Sequence, residues 1–105
     1  MPIKGHFAKL VSRPGGRDDL IAALRPMFAQ VENEPGTLLY LMQVSTEDPD
    51  VVWMHELFAD EEAFGVHSVS QVHAEVTKRL HELCVAGTEA YRVGQVVGKG
   101  LPVTP

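Results

Sequence analysis

Between residues 37 and 58 the chain reads TLLYLMQVSTEDPDVVWMHELF, two apolar runs around an acidic turn. Neither run alternates between apolar and polar positions. Leu38-Leu39-Tyr40-Leu41-Met42 and Val51-Val52-Trp53-Met54 are apolar on both faces, and this pattern predicts two strands that are covered on both sides. Residues 3–12 predict an earlier strand, with Ile3, Phe7 and Val11 on one face and His6, Ala8 and Leu10 on the other. The turn RPGG ends it.

Leu20, Ile21, Leu24, Met27, Phe28 and Val31 then recur at helical spacing, which predicts a helix over residues 18–33. Asp18-Asp19 favour its N-terminus, Pro26 should kink it, and Pro35-Gly36 stops it. After the hairpin, Asp60 is the expected N-cap of a short helix over 61–67. Ser68 and Gln71 have capping-box spacing for a longer helix that ends near Gly87. Its buried stripe is Val72, Val76, Leu80, Leu83 and Cys84. A last strand is expected over 91–97, and residues 98–105 form a tail that can reach a neighbour.

The order β-α-β-β-α-α-β in a single domain, with sequential pairing and right-handed crossovers, predicts an α+β ferredoxin-like plait. That is a four-stranded antiparallel sheet with the helices on one face. Helices account for one face of the hairpin strands, and nothing else in 105 residues can cover the other. A second copy packed sheet to sheet is the simplest cover, so a homodimer is expected.

Composition narrows the partners. The net charge is −5, with no basic cluster beyond Lys78-Arg79, which argues against nucleic acid. No apolar run approaches the roughly 20 residues that cross a bilayer. MPIKGHFAKL has no basic segment followed by an apolar one, so no secretory leader is expected. The single cysteine, Cys84, rules out a disulfide within the chain and fits a reducing, cytoplasmic setting. In its apolar helical pattern it reads as a core residue.

SRPGGRDDLIAAL, NEPGTLLYLMQVSTEDPDVVWMHELFADEEAF and VHSVSQVH, in this order and spacing, resemble the antibiotic biosynthesis monooxygenase domains, a family of dimeric α/β barrels. The resemblance covers nearly the whole chain. It implies a cofactor-independent monooxygenase that oxidises a phenol, hydroquinone or anthrone with molecular oxygen in a pocket between sheet and helices. A dimer that binds a small aromatic ligand without chemistry is the alternative, and a haem-binding or haem-degrading relative is a second one. For the haem branch, the positions of its first-strand Asn, short-helix Trp and iron-ligating His hold Ala8, His67 and Val76.

Oxygenation without a cofactor makes the substrate the electron donor. The protein must then supply a base, donors for the developing oxyanion and a dry apolar pocket. His67, where the family commonly has a histidine near the pocket mouth, is the first candidate. Glu56, on a strand face shared with Val52, Met54 and Phe58, is the second, as a base or as the group that orients a histidine. A structural hydrogen bond to a neighbouring turn is an equal reading of Glu56. Tyr40 matches a family position and reads either as a substrate hydrogen-bonding group or as a core ring. His6, Met54, Val72 and His73 complete the expected pocket lining. Trp53 has the parity opposite to Glu56 and is assigned to the dimer barrel with His55. His73 and His81 lie roughly 12 Å apart along one helix, and no metal site is readable.

Overall fold

The apolar stripes of the helices close onto one side of one sheet. The structure, a computed structural model, describes residues 2–100. In chain order it contains β1 (Lys4–Val11), α1 (Arg17–Val31), β2 (Thr37–Val44), β3 (Val51–Phe58), α2 (Glu61–Ser68), α3 (Gln71–Leu83) and β4 (Glu89–Gly94). The strands lie in the order β2-β3-β1-β4, every neighbouring pair antiparallel. This is the ferredoxin-like α+β plait.

The core forms where the predicted stripes meet. Leu20, Leu24 and Met27 of α1 and Val76 of α3 are buried against Leu10, Val52 and Met54 of the sheet. Each such side chain contributes about 1.5–3 kcal/mol when fully buried. α1 runs through Pro26 as one helix. Pro26 and Ala22, one turn earlier, are both exposed, so water can satisfy the carbonyl that the proline leaves unpaired.

Three boundaries differ from the sequence expectation. Ser70, not Ser68, caps α3: its hydroxyl accepts a hydrogen bond from the His73 amide at 3.0 Å. Ser68 is the last residue of α2, and its own hydroxyl donates to the Gly65 carbonyl. α3 stops at Leu83 because Cys84 turns extended and bridges to Ser12, after which the Val85 amide donates to the Val11 carbonyl. The last strand is 89–94 rather than 91–97, since its partner β1 offers a ladder only from Lys9, opposite Glu89, to Lys4, opposite Gly94. Of the predicted tail, residues 101–105 lie outside the described residues.

Opposite the helices, the sheet presents Phe7, Leu41, Trp53, His55 and Tyr91. The Phe7 ring stacks with those of His55 and Tyr91. Leu41 is 40% and Tyr91 46% exposed. No helix packs on this face among the described residues, so the helix layer explains the missing alternation in the hairpin strands on one side only.

The Pro35-Gly36 turn fixes where α2 sits. The Gly36 carbonyl accepts from the Ala59 amide at 2.8 Å. A Cβ at Gly36 would lie 2.5 Å from the Ala63 Cβ, so the short helix rests directly on the turn. Gly36→Ala is expected to destabilise the fold by about 1–3 kcal/mol through overpacking, read as a lowered urea midpoint. Ala63→Gly added to it should recover part of that loss. Simple additivity of the two changes would contradict the close contact.

Candidate active site

Sheet register assembles the site. Tyr40 of β2 stands opposite Glu56 of β3, Glu56 opposite His6 of β1, and His6 opposite Arg92 of β4. Directly paired residues share a face, so these four side chains form one transverse row on the helix side. With neighbouring strands about 4.8 Å apart, the row spans about 14 Å. Trp53 and His55 point to the opposite face, as their parity requires.

α2 lowers His67 onto this row. Asp60 caps the helix, its carboxylate accepting from the Ala63 amide at 2.8 Å, and Glu61 and Glu62 occupy the favourable first turn. His67, one residue from the other end, is 2% exposed. Its ring lies 5.0 Å from Phe58, 5.5 Å from Tyr40 and 5.1 Å from His73, centroid to centroid. His67 Nδ1 stands 2.8 Å from Glu34 Oε1, and Nε2 stands 3.7 Å from Glu56 Oε1.

Glu34 is the residue that sequence reasoning missed. It follows α1 in the NEPG turn, where an acid normally reads as solvated. Here it is 3% exposed. Burial raises its pKa, but hydrogen bonds from His67, from Gln30 at 3.0 Å and from Thr37 at 2.9 Å outweigh that cost and hold it below the ordinary carboxylate value. An ionised carboxylate only accepts hydrogen bonds. His67 Nδ1 must therefore be the donor, and Nε2 is the ring nitrogen turned toward Glu56. The only sequence hint was Gln30 and Thr37 placed four before and three after the acid.

Glu56 has the opposite character. Burial, and secondarily the negative charge of Glu34, push its pKa up from 4.5 to about 7. Tyr40 is raised by burial and then by Glu56 and Glu34, so its phenol stays a hydrogen-bond donor through the neutral range. His6 and His73 are both lowered, chiefly by burial. The cluster thus holds one carboxylate held ionised, one carboxyl poised between its two states, and two imidazoles, His6 and His73, whose protonation burial disfavours.

His67, Glu56, Tyr40, His6 and His73 converge within this cluster. His67 lies buried rather than at a pocket mouth, because α2 seats its ring beneath the helix layer. Met54 lies in the apolar core, and Val72, like Tyr40, packs against it. Surface clefts reach residues of the cluster: one of about 360 Å³ includes Phe28, Glu34 and Tyr40, one of about 280 Å³ includes His6, Phe64 and Arg92, and one of about 140 Å³ includes His6, Leu39 and Glu56. No group of three His, Cys, Asp or Glu among the described residues is arranged to hold a metal ion. The haem arrangement does not fit either: Val76, at the ligand position, is packed in the core, and His73 is turned to His67.

Among the described residues, no helix is long and apolar enough to cross a membrane. No curated protein matches the chain. Several solved structures share its fold. A protein from Shewanella oneidensis is 26% identical with a TM-score of 0.85, over 92% of this chain and 94% of its own. A candidate antibiotic biosynthesis monooxygenase from Chloroflexus aurantiacus is also 26% identical, with a TM-score of 0.78 over 95% and 99%. A Mycobacterium tuberculosis protein of 18% identity has a TM-score of 0.84 over 93% and 99%, a likeness of fold alone. Residues 6–79, from His6 through β2, β3 and α2 into α3, match the antibiotic biosynthesis monooxygenase family model, so this chain belongs to the antibiotic biosynthesis monooxygenase family.

Proposed function

We propose that the protein is a cofactor-independent monooxygenase that oxidises an electron-rich aromatic, a phenol, hydroquinone or anthrone, with molecular oxygen. The observation that carries this reading is the Glu56 carboxyl, poised near pH 7 beside the His67 Nε2 at 3.7 Å. A general base works best when its pKa lies near the working pH. The 3.7 Å gap is too long for a hydrogen bond, and a substrate hydroxyl or a water can bridge it.

For an anthrone the steps balance as follows. The Glu56–His67 pair takes the proton of the enol tautomer, and the Tyr40 hydroxyl steadies the resulting oxyanion. The anion gives one electron to O2, and the radical and superoxide join at the ring carbon. The returned proton completes a hydroperoxide, which loses water. In sum, a substrate CH2 and O2 become a C=O and H2O. Phe58 and the neighbouring rings supply the apolar surface that keeps solvent from the anion.

The reading includes a second copy. Phe7, Leu41, Trp53 and Tyr91 form an apolar face that suits a two-fold sheet-to-sheet interface and completes the dimeric barrel. Sedimentation at micromolar concentration should give twice the 11.5 kDa chain mass; a monomer would contradict this part.

Oxygen uptake by the metal-free protein with a panel of anthrones and hydroquinones, measured against their autoxidation, tests the chemistry. Saturable uptake is expected. His67→Ala and Glu56→Gln should each lower turnover by about 10²–10⁴-fold while ligand affinity changes little. In the wild type kcat/KM should rise with pH around 7 as Glu56 ionises, and Glu56→Gln should remove that limb. Ligand binding that both variants keep, with no turnover in the wild type, would favour a non-catalytic binding dimer.

Stability gives an independent check on Glu56. A carboxyl whose folded pKa is raised keeps its proton where the unfolded chain has lost it. Its stabilising share is therefore full below 4.5 and is lost as the pH rises through about 7. Urea unfolding of Glu56→Gln should show a flatter fall over that window than the wild type. Parallel curves would mean that the carboxyl is not raised.

A further inference from the structure

Arg92 ends the transverse row, on the far side of His6 from Glu56, and lies outside the span that defines the family match. It opens onto the 280 Å³ cleft together with Lys4, His6, Glu61 and Phe64. Its guanidinium carbon stands 5.9 Å from the centre of the Phe64 ring, a cation–π placement that holds it over the cleft wall. Lys4 is spent on Glu61 at 3.0 Å, whereas no acidic side chain among the described residues pairs with Arg92. His6 stays neutral because burial and Arg92 lower its pKa. Arg92 is thus the cleft's one unpaired fixed cation among the described residues, in a chain of net charge −5.

A row of packed rings connects the wall of this cleft to His67. His6 lies 4.5 Å from Phe64 and 5.8 Å from Phe58, and Phe58 lies 5.0 Å from His67. We propose that Arg92 is a substrate-positioning residue: the preferred ligands are aromatic acids whose carboxylate pairs with Arg92 while the ring lies along Phe64 and His6 toward Glu56 and His67. A guanidinium offers a carboxylate two parallel hydrogen bonds, and a lysine cannot reproduce that fork. The inference rests on the oxygenase reading for its catalytic consequence but not for binding.

Isothermal titration with 2-naphthoate and with 2-naphthylmethanol, its neutral counterpart, tests the subsite directly. The carboxylate should bind about tenfold more tightly at low ionic strength. Arg92→Gln should abolish this preference and leave the alcohol's affinity unchanged, and Arg92→Lys should keep only part of it. Arg92 is exposed, so both variants are expected to fold. Equal affinity for the two probes, no binding of naphthoate, or a preference that survives Arg92→Gln would overturn the proposal. Oxygen uptake with anthrone and anthrone-2-carboxylate separates the two readings. An Arg92-dependent naphthoate preference without uptake on either anthrone sinks the oxygenase and leaves the subsite standing. Equal uptake on both anthrones, unchanged by Arg92→Gln, sinks the subsite and leaves the oxygenase.

Discussion

The hydrogen bond from His67 Nδ1 to Glu34 is the constraint around which the site is built. It joins the turn after α1 to the end of α2, elements that also meet at Gly36 and Ala63. Both partners are buried, so each depends on the other. Leaving a buried hydrogen-bonding group without its partner typically costs about 1–3 kcal/mol, and more when that group is charged. Gln30 and Thr37 satisfy the rest of the Glu34 carboxylate, and a carboxylate so supplied does not compete for the proton that chemistry needs. The result is an imidazole with one edge fixed and the other facing a carboxyl of very different character.

That difference comes from geometry rather than residue type. Glu34 is buried and Glu56 half-buried, yet three hydrogen bonds keep the first ionised, while the second is raised by desolvation and its neighbour's charge. Two carboxyls driven apart in this way are the usual means of assigning separate roles to like groups. The sheet supplies the second dimension. Because strand pairing places Tyr40, Glu56, His6 and Arg92 in one row, a ligand laid across the strands meets a donor, a base, a neutral ring and a cation in sequence.

The fold was legible in the sequence because its signals are periodic. The helical stripe from Leu20 to Val31 and the two-sided runs of the hairpin each required a particular neighbour, and the helix layer covers one of those two sides. Strand parity put Glu56 and Trp53 on opposite faces, but only the packing of α2 and His67 sets Glu56 on the helix side. What was not legible depends on contacts distant in sequence. Glu34 sits in a turn, where an acid carries no periodic signal, and its burial follows from α2 closing over it. Arg92 looks like any exposed strand arginine until register sets it opposite His6. Ser68 and Ser70 offer competing caps, and only the packing of α2 decides between them. His67 was singled out as a site residue, but its depth depends on the Gly36–Ala63 contact that seats its helix.

The state of the His67 ring tests the arrangement most directly. Nitrogen NMR on protein carrying labelled histidine, with the five rings assigned through single substitutions, reports which nitrogen holds the proton in the neutral imidazole. A proton on Nδ1, with Nε2 left as the free base toward Glu56, is the predicted result. A neutral ring protonated on Nε2 would mean that Glu34 does not fix the tautomer and that His67 has no lone pair to offer beside Glu56.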